Sequence, residues 1–320
     1  MTMLRKNTSL TENNWVIHVG LIKTATSTVQ RGVFLQHSQI DYYGKPYVKN
    51  PNVPDGFQAV IEKVACKDEV NYKKSEILDY FESHVFRNHS SEKKKVFSEE
   101  LLSATETTDQ RVVANRLQDI FGESKILISI RNQRDLLISH YLHNIVRLTG
   151  YIPFEKYLIE NWRGAFDHSN IRNRLKFYEL AKVYSDVFGI ENIVILPMEM
   201  LRDNFSNYSQ TLSDIIGIDG QETERLLKGR HGNQRLSERE FLYCKFAKSF
   251  PFLDFRSKLN GNTAHLFEKL IRGGNRTRVL LPPEWAAEID SYYAADNRML
   301  MDFFGVDLHK YGYPVREEER

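Results

Sequence analysis

WVIHVGLIKTATSTVQRGVFLQ, residues 15–36, changes character twice within a few positions. Trp15 to Gly20 is a short apolar run rich in Val and Ile, the length and composition of a buried strand. Residues 29–36, VQRGVFLQ, carry helical periodicity. Between them lie one lysine, Lys23, and the small residues Thr24, Ala25, Thr26, Ser27 and Thr28. A strand-to-helix turn of this composition suits an anion. The free N–H groups of the helix start face the ligand, and the helix dipole favours negative charge. Hydroxyls add donors, and the lysine adds a mobile full charge. Threonine and serine are also common helix caps, so a capping cluster with an incidental lysine is the competing reading.

Three further apolar runs read as buried strands: Lys95 to Ser98, Lys125 to Arg131, and Asn192 to Leu196. Helices are expected between them. Asp109 to Phe121 repeats apolar residues at helical spacing and stops at Gly122, and Arg172 to Phe188 does the same and stops at Gly189. Strands alternating with helices imply an α/β fold of three layers, with a central parallel sheet flanked by helices. From about Ser206 the chain reads as mostly helical, and its last long helix runs from Pro283 to Phe304 before Gly305. Without repeats or a long linker, residues 1–320 are expected to form one domain, with 1–13 as a flexible tail and 206–320 as a helical C-terminal part. Two stretches read as loops, Tyr42 to Asp55 and Arg230 to Ser237. In such sheets ligands bind at the strand C-termini.

A second cationic group follows a later strand. KILISI ends in Arg131-Asn132-Gln133-Arg134-Asp135, and a helix is expected through Leu136 to Val146. Arg131 stands on the same sheet edge as Lys23, and Ser139 falls about two turns into the helix, ahead of His140 and Tyr141. An arginine fork with a serine hydroxyl suits a second phosphate. A solvated charge cluster at a strand end is the alternative. One nucleotide phosphorylated at both 5′ and 3′ positions needs both sites.

The chain has 320 residues, 41% hydrophobic and 27% charged, with 44 basic against 42 acidic residues and a formal charge of +2. That balance makes no case for a nucleic-acid partner. Cys66 and Cys244 lie outside any metal-ligand spacing and read as thiols of a reducing compartment. Met1 to Asn14 lacks an apolar stretch of signal-peptide length, and no run approaches the roughly 18 apolar residues of a membrane span. A cytoplasmic location is the expectation.

These residues resemble the PAPS-dependent sulfotransferases (donor 3′-phosphoadenosine 5′-phosphosulfate). GLIKTATSTVQ is similar to the bacterial and carbohydrate-type phosphosulfate loop, G-x-P-K-[TS]-[GA]-[TS]-[ST]. Arg131, Ser139 and Tyr141 match the family's 3′-phosphate pattern. VFSEELL, residues 96–102, resembles the family's strand ending in Ser-Glu. Asn233-Gln234-Arg235-Leu236-Ser237 resembles the late loop that closes over the nucleotide, and Tyr292 through Phe304 to Pro314 resembles the C-terminal ends of bacterial members. Ile22 and Gln133 stand where the family often has prolines, which shape backbone rather than chemistry.

The resemblance implies a P-loop-like fold and an enzyme moving the sulfuryl group of PAPS to a hydroxyl, or an amine, of a carbohydrate, glycolipid or small-molecule natural product. The product is 3′,5′-ADP, and no metal is demanded. It implies Lys23 at the leaving oxygen, with Thr24, Ala25, Thr26, Ser27 and Thr28 around the 5′-phosphosulfate. Arg131 and Ser139 are implied on the 3′-phosphate, with Asn233, Arg235 and Ser237 in the closing loop. Glu99, ending a strand at the ligand edge, is the first candidate for the general base. Glu100, His18 and His140 are the alternatives, although His18 reads as a satisfied core histidine. Tyr42 to Tyr47 reads either as an acceptor wall or as a turn packed by tyrosines. A nucleotide-kinase-like phosphotransferase is the nearest rival, but the GxxxxGK[ST] order and a strand-end aspartate for magnesium are lacking. A non-catalytic nucleotide-binding protein is the rival from another class.

Overall fold

In the computed structural model, residues 15–47, 50–88, 92–103, 108–147, 151–164, 171–228, 236–250, 252, 254–256 and 258–315 are described. Strand β1 (Trp15–Gly20) leads into α1 (Thr26–Val29), which continues as a π-helical turn, Gln30–Phe34. Then come β2 (Ile40–Gly44), α2 (Phe57–Cys66), α3 (Lys74–Tyr80), β3 (Lys94–Ser98), α4 (Gln110–Phe121) and β4 (Ser124–Ile130). After them follow α5 (Gln133–Arg147), α6 (Phe154–Leu158), α7 (Ile171–Arg174), α8 (Phe177–Phe188) and β5 (Ile193–Pro197). The remainder is helical: α9 (Met200–Asp203), α10 (Phe205–Ile216), α11 (Gly220–Leu227), α12 (Glu238–Ser249), α13 (Gly261–Arg272) and α14 (Pro283–Phe304).

The strands form one parallel sheet in the order β2-β3-β1-β4-β5. Alternation along each strand sends side chains to two different cores. Trp15, Ile17, Val19, Phe97, Ile126 and Ile128 face the larger one, which α2, α4, α5, α8 and α14 cover. Val16, Tyr42, Val96 and Leu127 face the smaller one, closed by Val29, Val33 and Phe34 and by Tyr208, Leu212 and Ile216 of α10. The expected three-layer α/β architecture is therefore the observed one.

Local signals behave as their chemistry dictates. Asp109 caps α4 by accepting from the Arg111 N–H at 2.7 Å, and Gly122 ends that helix at φ 67°. Two expectations fail. Tyr42 to Gly44, read as loop, belongs to the edge strand β2, whose residues are all buried. Ile40, Tyr42 and Tyr43 favour a strand, but Asp41 and the following Gly-Lys-Pro read as a turn, and pairing with β3 in register Tyr42↔Val96 decides between them. The helix expected over Arg172 to Phe188 is broken at Leu175–Lys176, where Lys176 is extended, with ψ 93°. The buried Gln133 amide takes the Leu175 carbonyl released by that break.

A polar line crosses the smaller core. His18 is fully buried, its Nδ1 2.8 Å from the Ser98 hydroxyl on β3 and its Nε2 2.8 Å from the Ser129 hydroxyl on β4. The Gln30 amide donates to the same Ser98 oxygen at 3.0 Å. His18 is thus a satisfied core histidine joining three strands. Burial pushes its pKa down from 6.5 to about 3. A histidine whose folded pKa is depressed binds more protons when unfolded, so stability is full above 6.5 and falls as pH drops toward about 3. Urea unfolding midpoints taken across that window should decline, His18 alone contributing up to about 1.4 kcal/mol per pH unit. His18→Gln should flatten the decline, and an unchanged slope in that variant would remove this residue from the account.

Candidate functional site

The cradle expected after β1 is built from strained backbone. Lys23 has φ 75° and Ala25 φ 66°, a left-handed region that costs non-glycine residues on the order of 1–3 kcal/mol each. Such turns aim successive N–H groups into one concavity, where an anion sits. Thr24 closes the turn through its N–H and its hydroxyl, which donate to the Leu21 carbonyl at 3.3 and 2.7 Å. Helix α1 then starts at Thr26, and the Thr28 N–H donates to the Ala25 carbonyl at 2.9 Å. Gly20 is required here by contact: a Cβ would stand 2.2 Å from Thr26 Cγ2. The hydroxyls divide. Those of Thr24 and Thr26 donate to protein oxygens, whereas Ser27 and Thr28 are half-buried at the helix start.

Arg131 joins this loop directly. It is buried, and its Nη1 donates to the Lys23 carbonyl at 3.1 Å. The two cationic groups read separately from sequence therefore meet, because β1 and β4 are neighbours with Gly20 opposite Ser129. Behind Arg131, the carboxylate of Glu199 accepts from the Asn132 N–H at 3.0 Å and from the Tyr313 hydroxyl at 2.9 Å. Burial raises the pKa of Glu199 even so. Gln133, at the position where the resembled family often has proline, is fully buried and donates to Asn297 Oδ1 at 2.7 Å. Asn297 in turn donates to the Pro314 carbonyl at 2.8 Å. No sequence signal linked Glu199, Asn297 or Tyr313 to this edge.

The paired carboxylates after β3 face different partners. Glu99 is fully buried and holds three donors: the Tyr47 hydroxyl, Lys45 Nζ at 2.8 Å and the Leu101 N–H at 3.2 Å. Glu100 accepts from the Thr26 hydroxyl of the cradle, with Lys45 Nζ 3.7 Å from its other oxygen. Burial alone lowers the pKa of Lys45, but Glu99 and then Glu100 carry it above its ordinary value. Tyr47 is pushed up by burial and by Glu99 beside it. The tyrosine stretch also divides. Tyr42 and Tyr43 are core residues, and Lys45, Pro46 and Tyr47 are half-buried.

Ser139 is half-buried on α5. His140 next to it has its pKa pushed down to about 4, first by burial and then by the positive charges of Arg174, His143 and Lys23. The charges of Arg174 and His143 felt at His140 are ones that sequence reasoning missed, since nothing in a helical arginine announces its direction. Tyr141 is a core residue, packed on Phe154 and donating to the Ile152 carbonyl at 2.7 Å. Ser237 is the N-cap of α12, accepting from the Glu240 N–H at 3.0 Å and donating to the Ile271 carbonyl. Asn233 and Arg235 lie outside the described residues. A cavity of about 430 Å³ lined by Trp162, Arg172, Glu288, Ser291 and Tyr292 contains none of the residues proposed for catalysis or nucleotide binding.

No family model matches the sequence, and no curated protein matches it. Solved structures do. A sulfotransferase from Alicyclobacillus acidocaldarius superposes with a TM-score of 0.54 at 18% identity, covering 93% of this chain and 98% of that one. A mouse sulfotransferase, SULT7A1, solved with PAP, gives 0.44 at 10% identity over 94% of this chain and 90% of that one. The sulfotransferase domain of the Synechococcus PCC 7002 olefin synthase gives 0.45 at 9% identity over 92% of this chain and 95% of that one. On the first of these likenesses, which spans nearly the whole of both chains, the protein has the fold of a sulfotransferase.

Proposed function

We propose that this chain is a sulfotransferase that moves the sulfuryl group of PAPS to an acceptor hydroxyl or amine and releases 3′,5′-ADP. The observation that carries the reading is the left-handed cradle at Lys23 and Ala25, braced from the next strand by Arg131. A strained backbone with a lysine at its centre fits a phosphosulfate better than it fits a mere helix cap, which needs no left-handed lysine. The acceptor class proposed is a carbohydrate, a glycolipid or a small natural product. The cysteines Cys66 and Cys244, one half-buried and one buried, accord with a cytoplasmic enzyme.

In this reading the acceptor oxygen attacks sulfur, the bond from sulfur to the bridging phosphate oxygen breaks, and the negative charge that develops there is met by the ammonium of Lys23. The N–H groups of Ala25, Thr26 and Ser27, with the hydroxyls of Ser27 and Thr28, hold the 5′-phosphosulfate. Arg131, which also binds the Lys23 carbonyl, and Ser139 are assigned to the 3′-phosphate. Glu99 takes the acceptor's proton. Its donors, the half-buried Tyr47 and Lys45, must yield to the acceptor hydroxyl for that transfer, and Glu100 positions the cradle through Thr26. Asn233 and Arg235 are assigned to the nucleotide, and Ser237 caps α12.

Calorimetric titration should find 3′,5′-ADP bound in preference to 5′-AMP and ATP. Arg131→Ala and Ser139→Ala should each weaken 3′,5′-ADP, the arginine variant by roughly tenfold to a hundredfold, as loss of a charged hydrogen-bonding partner does. Equal or absent binding of the three nucleotides would sink the reading. With an acceptor found by screening against radiolabelled PAPS, Glu99→Gln should lower kcat by about 10²- to 10⁴-fold and leave 3′,5′-ADP affinity unchanged. Glu100→Gln should instead loosen Thr26 and weaken nucleotide binding. Wild-type turnover in Glu99→Gln would move the base elsewhere.

A further inference from the structure

α12, α13 and the described residues between them expose a cluster of large apolar side chains. Leu242 is 60% exposed, Phe252 68% and Leu266 69%, and Phe246, Phe250 and Leu270 stand out beside them. The three phenylalanines form a continuous projection, with ring centroids 5.2 Å apart for Phe246–Phe250 and 6.1 Å for Phe250–Phe252. Helical spacing places Arg239, Leu242 and Phe246 on one face of α12, and Leu266, Leu270 and Gly273 on one face at the end of α13. The two faces meet at Arg239, whose guanidinium lies 3.7 Å from where a Cβ on Gly273 would stand. Apolar exposure on this scale marks an interaction surface.

Charge says what it fits. Residues 236–280 hold nine Lys and Arg against four Asp and Glu, whereas the rest of the chain is net acidic by three. Three of those four carboxylates are already engaged, Asp254 by the Tyr243 hydroxyl at 2.6 Å. Arg256 binds both Glu240 and Glu268, the latter at 2.6 Å, and Arg272 lies 2.9 Å from Glu268. Lys245, Lys248, Lys258 and Lys269 are exposed among the apolar side chains. A second copy of the chain would bring this excess of positive charge against itself. Phenylalanine and leucine interleaved with lysine on a projecting surface is the composition that settles at an anionic bilayer surface, rings among the acyl boundary and ammonium groups among the headgroups.

We propose that the α12–α13 face docks this protein onto an anionic lipid bilayer. The docking stands apart from the donor chemistry, and its test needs no nucleotide. The full chain is sedimented with vesicles of phosphatidylcholine alone and of phosphatidylcholine mixed with phosphatidylglycerol, at low and high salt. Binding is expected to the anionic vesicles and to weaken as salt rises. Lys245→Glu with Lys248→Glu, and separately Phe246→Ser with Phe252→Ser, should each reduce partitioning by roughly tenfold or more. Both pairs lie at exposed positions, and an unaltered circular-dichroism unfolding midpoint identifies variants that remain folded. No binding, equal binding to neutral vesicles, or wild-type partitioning by folded variants would overturn the proposal. A concentration-dependent dimer in ultracentrifugation, abolished by Phe246→Ser with Phe252→Ser, would assign the face to a second copy and overturn it equally.

Discussion

The hydrogen bond from Arg131 to the Lys23 carbonyl is the constraint on which the functional edge depends. A lysine and an alanine in left-handed backbone relax to ordinary conformations unless surrounding contacts hold them. Here the turn is held at several points. Arg131 grips the carbonyl from β4, Thr24 ties back to Leu21, and Thr26 is pinned by Glu100 from the turn after β3. Contributions thus arrive from the strands on both sides of β1. A loop braced in this way holds its N–H groups in one orientation.

The sheet beneath the cradle is tied by the same neighbours. His18 bridges Ser98 and Ser129, and Gln30 at the end of α1 joins at Ser98. Ser98 immediately precedes the Glu99–Glu100 pair, and Ser129 lies two residues before Arg131. The buried polar line therefore sets the relative height of three strand ends. A fully satisfied polar cluster in an apolar layer favours one register over its slips, since each slip strands a buried donor or acceptor. The neutrality of His18 is a condition of this arrangement, and acid is what removes it.

The C-terminal helices reach the same edge from outside. Asn297 on α14 joins Gln133 to the Pro314 carbonyl, and Tyr313 joins Glu199, which holds the Asn132 N–H. Each bond is worth on the order of 1 kcal/mol net, but losing one partner leaves a buried amide or carboxylate unsatisfied at greater cost. Gln133 thus does by hydrogen bonding what a proline there does by restricting φ: it fixes how the chain leaves β4. Arg131, one residue on from that strand, inherits the result.

Much of this was legible from residue order alone. β1 was bounded correctly by its apolar run, α4 by Asp109 and Gly122, and α14 by Pro283 and Gly305, because strands, caps and helix stops are written in contiguous residues. That a lysine with small hydroxyl residues follows β1 and an arginine follows β4 was legible for the same reason. What contiguous residues do not carry is which strands are neighbours. That Lys23 and Arg131 share a hydrogen bond, that Glu99 faces Tyr47 and Lys45 while Glu100 faces Thr26, and that His143 and Arg174 crowd His140 all follow from the order β2-β3-β1-β4-β5 and the helices packed on it. The edge strand β2 was missed because its own composition reads both as strand and as turn, and pairing with β3 decides between them. Sequence by itself determined the elements and the chemistry available at their ends. Tertiary structure decided which of those groups meet, because distance in space is set by strand pairing and core packing, neither of which is local in the chain.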